Sequence, residues 1–203
     1  MTTRRCLIRN ATSSAANAVA VADNFITPAD CRRLLEEVAG AEWVSSAVTG
    51  ARGLEHRASG RHSDSLVLSS PSRWVRACIQ KVEHRLRARF DIEPKNLEPW
   101  QITRYQRSDR YDYHLDCGQW ATDPAGDRRQ TILIVLEEPT CGGATHFRAL
   151  DRSIRPVTGR LLVWSNLLPT GDCNHAMIHA ARPVWKGRKV ILTTWERERP
   201  CSR

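Results

Sequence analysis

The sequence predicts an α+β domain that is mainly β, a helix-backed antiparallel sandwich or barrel. Three observations carry this. Two segments before Glu98 space their apolar residues at helical intervals. After Glu98, short apolar stretches of strand length alternate with Gly, Pro, Asp and Asn turns, and no helix of ordinary length fits between them. A chain of 203 residues with 41% hydrophobic residues is long enough to bury a core. It contains no internal repeat and no low-complexity tract.

Residues 1–18 are polar, rich in Ala, Ser and Thr and without a period, and read as a flexible leader; residues 19–203 read as one domain. Asn24-Phe25-Ile26 reads as the end of an apolar strand that runs into a helix, with Thr27 as N-cap, Pro28 at the first helical position and Asp30 in the first turn. Cys31, Leu34, Leu35 and Val38 form the apolar face of that helix, and Gly40 stops it. A second helix opens at Ser70-Pro71 and turns Trp74, Val75, Cys78, Ile79, Val82 and Leu86 inward. The strands that follow are 100–105, 131–136, 144–148, 160–164, 177–180 and 189–195.

The formal charge is +9, from 31 basic against 22 acidic residues, and only Lys81, Lys95, Lys186 and Lys189 are lysines. Such a surface attracts anions, but the arginines are scattered along the chain, so a solvated surface is expected rather than a nucleic-acid site. No apolar run approaches the roughly 20 residues of a membrane span, and the first residues lack the apolar stretch of a secretory signal. The seven cysteines contain no C-x-x-C pair and cannot all pair internally, which argues against a secreted disulfide framework and for a cytoplasmic protein. Cys117, with no evident base, reads as packing. Nothing in the sequence speaks to oligomeric state.

His114 and Asp116 are two residues apart, so on an extended chain both side chains leave one face and can converge on one ion. A third ligand is available in His179, from a later strand. Two imidazoles and one carboxylate make the facial triad that leaves three positions open on Fe(II), enough for a bidentate 2-oxo acid and dioxygen. The distal carboxylate of such an acid needs a cation. Lys189, ten residues beyond His179 across a turn with Pro183 and Gly187, can return on an adjacent strand; Tyr105 and Thr145 are candidate hydroxyl donors to the same group.

These residues and their surroundings resemble the iron- and 2-oxoglutarate-dependent dioxygenases of the prolyl 4-hydroxylase type. Tyr105, Tyr111, His114 and Asp116 resemble the family's Tyr, Tyr, His-x-Asp series, and Gly142-Gly143-Ala144-Thr145-His146-Phe147 its Gly-Gly-Glu-Thr-x-Phe. Trp164-Ser165-Asn166-Leu167 resembles Trp-x-Asn-Leu. His179-Ala180-Ala181-Arg182-Pro183-Val184, with Gly187, Lys189 and Trp195, resembles His-Ala-Ala-x-Pro-Val, Gly-x-Lys and a closing Trp. The likeness is strong over residues 99–199 and loose over 20–98, where Asp23-Asn24-Phe25-Ile26 looks like the entry strand and Arg61-His62-Ser63 is similar to Arg-Thr-Ser.

The resemblance implies a double-stranded β-helix, jelly-roll or cupin-like, backed by the N-terminal helices. It implies Fe(II) on His114, Asp116 and His179, and 2-oxoglutarate on Lys189 with Tyr105 and Thr145. The cosubstrates would be 2-oxoglutarate and O2, with ascorbate as a candidate reductant, and the products succinate, CO2 and a hydroxylated carbon. The leading substrate is prolyl or proline-like, or another amino acid, whether peptidyl, free or bound in a natural product. Tyr111, Trp120, Arg61 and Trp195 are the candidate substrate contacts, with residues 117–129 as a lid that brings Trp120 over the substrate.

Ala144 stands where the family has Glu, Ser108-Asp109-Arg110 replaces a Gly-bearing turn, and no peptide-substrate-binding domain like that of the collagen hydroxylases fits in 203 residues. These departures bear on the substrate and leave the iron and cosubstrate residues intact. Asp116 is present, which disfavours the halogenase variant of the family. His175, four residues before His179, would pair with it for zinc only on a helix, and its Gly, Asp and Asn neighbours predict a loop. His146 should face away from the pocket if Thr145 faces in. The rival reading from another class is a non-catalytic barrel, kept as a metal-binding sensor or as a basic nucleic-acid-binding module.

Overall fold

Thr27 starts the first helix as its place before Pro28 predicts: its hydroxyl accepts from the Asp30 N–H at 3.1 Å and opens α1 (Pro28–Glu37). The cap of α2 (Arg73–Phe90) is Ser72, whose hydroxyl accepts from the Val75 N–H at 3.3 Å, so the helix begins slightly later than the Ser-Pro signal. This computed structural model describes residues 18–46, 48–49, 55–56, 60–120 and 122–201; all but the last residue of the expected leader lies outside the described residues.

The strands are β1 (Ala20–Ala22), β2 (Val44–Ser45), β3 (Val48–Thr49), β4 (Glu55–His56), β5 (Asp64–Val67), β6 (Gln101–Tyr105), β7 (Tyr111–His114), β8 (Arg128–Glu137), β9 (Cys141–Gly142), β10 (Thr145–Phe147), β11 (Arg152–Ile154), β12 (Leu161–Ser165), β13 (His179–Ala181), β14 (Val184–Lys186) and β15 (Lys189–Arg197). A seven-stranded sheet has the order β1-β12-β8-β15-β6-β5-β2, and a four-stranded sheet the order β11-β10-β13-β7. Two short ribbons, β14-β9 and β3-β4, complete the pairing, and neither main sheet closes on itself.

The larger sheet has apolar side chains on both faces. Ile132, Ile134, Leu136 and Leu192 pack in one cluster with Leu34 of α1 and Leu86 of α2. Their neighbours Leu133, Val135 and Ile191 belong to a second cluster with Phe147, Trp164 and Met177, on the side of the smaller sheet. Strict alternation along β8 and β15 thus serves two cores at once. This is why β8 reads as an unbroken apolar run.

Several expectations need correction. The entry strand is Ala20–Ala22, not 24–26: Asn24 turns the chain at φ 53°, and the Phe25 and Ile26 N–H groups donate to Gly159 O. Strand β5 has no signal in the sequence, because the four residues Asp-Ser-Leu-Val carry no period of their own and owe their extension to pairing with β6. Met177 ends a 3-10 turn (His175–Met177) before β13 begins at His179. The cysteines are not all thiols, since Cys117 is disulfide-bonded to Cys173. The cations are also less scattered than the linear chain implies: Arg73, Arg76, Lys81, Arg85, Arg87 and Arg89 share the exposed side of α2, with Arg85 donating to Phe25 O and Arg87 paired with Glu93.

Candidate active site

Two cross-strand pairs build the site. In the smaller sheet His179 of β13 lies opposite His114 of β7, and in the larger sheet Lys189 of β15 lies opposite Tyr105 of β6. Both pairs open on one cavity of about 320 Å3. All ten residues singled out from the sequence line it: Arg61, Tyr105, Tyr111, His114, Asp116, Trp120, Thr145, His179, Lys189 and Trp195.

His114 Nδ1 lies 2.8 Å from Asp112 O and His179 Nδ1 lies 3.0 Å from Met177 O. A carbonyl can only accept, so each Nδ1 carries a proton, and in this tautomer of the neutral ring Nε2 is the nitrogen that offers a lone pair. Those Nε2 atoms lie 3.6 Å from Asp116 Oδ1 and 3.7 Å from Asp116 Oδ2 respectively. Burial, with the neighbouring His179 ring second, lowers the His114 pKa to about 3, so the ring is neutral and able to ligate. Burial by itself would raise the Asp116 carboxyl; His179, His114, Arg128 and the Thr131 hydroxyl outweigh it and hold the group at about 2. Two imidazoles and one ionised carboxylate, with donor atoms within 4.8 Å of one another, fit a divalent ion of the Fe(II) type. Stacked packing holds them: Tyr111 lies 3.7 Å from the His114 ring, and Trp164 meets His179 edge-on at 4.8 Å.

Lys189 is 1% exposed, and among the described residues no acidic side chain pairs with it. Burial lowers its pKa to about 8. Its Nζ lies 5.4 Å from the centre of the Tyr105 ring, and the Tyr105 hydroxyl, its pKa raised by burial, is hydrogen-bonded with Ser63. A buried cation without a counter-charge fits a ligand that brings its own carboxylate. The alternation Lys189, Ile191, Thr193, Trp195 faces the cavity throughout. Arg188 instead is exposed and paired with Glu137. Thr145 faces the cavity while His146 turns away and bonds the Tyr113 hydroxyl at 2.6 Å through Nδ1. His175 is exposed and does not line the cavity.

Gly142 and Gly143 have φ of 82° and 72°, and a Cβ on Gly142 would run into Pro183 O, so the Gly-Gly turn is what lets β9 lie against β14 beside Lys189. At the mouth, Arg61 stacks 4.8 Å over Tyr111, and Arg128 stacks 3.6 Å over Trp195 while donating twice to Glu98 at 2.8 Å.

The loop expected to be a lid is a strap tied down at several points. Cys117 is bonded to Cys173, Gly118 N–H donates to buried Asp127 at 2.6 Å, and Arg197 grips Gly126 O and Asp123. Trp120 sits between Arg128 and Arg197, at 5.2 and 4.8 Å. Sequence reasoning missed Arg128, Thr131 and Asn166. Asn166 lay within the Trp-Ser-Asn-Leu motif, but nothing local linked it to Asp116.

Residues 100–197 match the family model described as the 2OG-Fe(II) oxygenase superfamily. The chain is 27% identical over 194 residues, 90% of its own length and 75% of the relative's, to a putative prolyl 4-hydroxylase of Acanthamoeba polyphaga mimivirus. It is 29% identical over 149 residues to prolyl 4-hydroxylase subunit alpha-1 of Gallus gallus, covering 66% of this chain and 29% of that subunit. Among solved structures, a viral collagen prolyl hydroxylase from Paramecium Bursaria Chlorella virus-1, in a 2OG complex, superposes with a TM-score of 0.67 at 22% identity, over 88% of this chain and 95% of the other. A Trichoplax adhaerens prolyl hydroxylase, in complex with a hypoxia inducible factor peptide fragment, superposes with a TM-score of 0.65 at 16% identity, over 90% and 84% of the two chains. The shared fold is the double-stranded β-helix.

Proposed function

We propose that this chain, whose residues 100–197 match the 2OG-Fe(II) oxygenase superfamily, is a prolyl 4-hydroxylase-like enzyme that hydroxylates an unactivated C–H bond of a prolyl, proline-like or other amino-acid substrate. The observation that carries the reading is the convergence of two imidazoles, one carboxylate and one buried ammonium, with no acidic partner among the described residues, on a single cavity. His114, Asp116 and His179 would hold Fe(II). When bound, the iron supplies the activation of O2 that couples decarboxylation of 2-oxoglutarate, to succinate and CO2, with transfer of one oxygen atom to the substrate.

The chain's own residues do the rest. Lys189 neutralises the distal carboxylate of 2-oxoglutarate, with the Tyr105 and Thr145 hydroxyls as further donors, and so fixes which end of the acid faces the three ligands. Tyr111 holds the His114 imidazole by stacking, and Trp164 holds that of His179 edge-on. Arg61, Tyr111, Trp120 and Trp195 shape the entrance and aim one carbon of the substrate inward. A peptidyl substrate is supported by the peptide complex of the Trichoplax relative; free and natural-product-bound amino acids are the alternatives. No helix among the described residues is long and apolar enough to cross a membrane. No observation favours the non-catalytic sensor or the nucleic-acid module.

The test is succinate release from 2-oxoglutarate with Fe(II), in air and without oxygen, with and without ascorbate, followed by mass analysis of prolyl peptides, free proline and other amino acids. Gain of one oxygen atom by one of them, with succinate formed in step, is the expected result. Absence of oxygen-dependent succinate under every condition would refute the reading.

A further inference from the structure

Asp116 is held by a two-residue relay that runs into the core. Its Oδ2 lies 2.6 Å from Thr131 Oγ1, and Thr131 Oγ1 lies 2.9 Å from Asn166 Nδ2. The direction is forced. An ionised carboxylate cannot donate, so the single hydroxyl proton of Thr131 points to Asp116, and the hydroxyl oxygen must then accept from the Asn166 amide. Thr131 is 1% and Asn166 2% exposed, so no solvent competes for either bond.

Each member is fixed independently. Thr131 lies in the middle of the larger sheet, paired with Trp164 of β12 and Trp195 of β15. The Asn166 N–H donates to Arg129 O at 2.9 Å, and Asn166 O accepts from the Asn174 N–H at 2.7 Å. The relay therefore links the sheet core to a carboxylate that sits just beyond the end of β7.

We propose that Thr131, backed by Asn166, is a positioning residue that occupies Oδ2 of Asp116 and so limits this carboxylate to ligating metal through Oδ1. A carboxylate free to turn can chelate through both oxygens, which consumes a coordination position. The reaction class needs three open positions, two of them for the 2-oxo acid. The relay thus protects the cosubstrate's place at the metal, and this inference rests on the functional reading above.

The experiment is anaerobic calorimetry in two stages, Mn(II) or Fe(II) first and 2-oxoglutarate second, on the wild type, Thr131→Val, Thr131→Ser and Asn166→Asp. Thr131→Val keeps the shape and loses the donor. Thr131→Ser keeps the donor. Asn166→Asp is isosteric but can no longer donate to Thr131, and it provides the same test if Thr131→Val fails to fold. The expected result is that Thr131→Val and Asn166→Asp still bind the metal, yet bind 2-oxoglutarate to the metal-loaded protein about tenfold or more weakly, and that Thr131→Ser restores it. Wild-type 2-oxoglutarate affinity in Thr131→Val or in Asn166→Asp, or equal impairment in Thr131→Ser, overturns the relay while leaving the functional reading intact. A wild type that binds neither metal nor 2-oxoglutarate overturns both.

Discussion

Lys189 sits where water is excluded and no counter-charge is provided, so its charged form is destabilised until an anion arrives. Two outcomes follow. Its folded-state pKa of about 8 lies below the ordinary lysine value, so between the two the unfolded chain holds the extra proton, and stability of the ligand-free protein rises with pH across that window. Lys189→Met should remove that pH dependence and raise stability at pH 7 by about 3 kcal/mol, read by urea unfolding at several pH values. The same lysine should make 2-oxoglutarate binding weaken by up to about tenfold per pH unit above pH 8. Lys189→Ala should lose about 2–5 kcal/mol of cosubstrate binding, whereas Arg188→Ala, which breaks only an exposed pair with Glu137, should be near neutral. Strong damage from Arg188→Ala with Lys189→Ala mild would move the anchor to Arg188. Among the proposed metal ligands, His114→Ala, Asp116→Ala or His179→Ala should each remove most Fe(II), measured on the dialysed protein, together with turnover. Full activity in any of them would refute the triad.

At the scale of elements, the strap of residues 117–120 and 122–127 matters most. Its ties connect the residue beside Asp116 to the loop that leads into His179, through Cys117 and Cys173. Joining positions 56 residues apart removes loop entropy from the unfolded chain, and Cys117→Ser with Cys173→Ser should cost about 2–4 kcal/mol in thermal or urea unfolding. A protein of unchanged stability would show that the bond is not formed in solution. Trp120 is held by two guanidinium groups on the wall of the cavity, so Trp120→Ala should cost at least about 1 kcal/mol of substrate binding and raise 2-oxoglutarate consumption without hydroxylation. Unchanged substrate KM and unchanged coupling would remove Trp120 from the substrate site.

At the scale of the molecule, the larger sheet separates two cores with different duties. The side packed by α1 and α2 carries Leu34 and Leu86, both fully buried and remote from the cavity lining. Leu34→Ala or Leu86→Ala should cost about 2–5 kcal/mol of stability and leave metal and 2-oxoglutarate affinities unchanged in the folded protein. The other side carries Trp164 and Phe147, which touch His179. Truncation there should cost stability and metal affinity together.

The candidate metal donors were legible because their relation is local or periodic: His114 and Asp116 share a face on an extended chain, and Lys189 begins an alternation through Trp195 that faces inward throughout. Thr27-Pro28 marked α1 for the same reason, since a cap needs only its own first turn. Where the reading failed, the deciding contact was distant in sequence. Strand β5 is extended by β6, 38 residues away at Ser65 and Thr103. Cys117 meets Cys173, and Thr131 reaches back to Asp116 and forward to Asn166, across intervals that no spacing rule covers. The sequence by itself determined which atoms could bind an ion and an acid. Only the tertiary structure decided which oxygen of Asp116 the Thr131 hydroxyl occupies, that Lys189 meets no acidic side chain among the described residues and that the loop at the mouth is tied down, because each is the outcome of packing two sheets against one another.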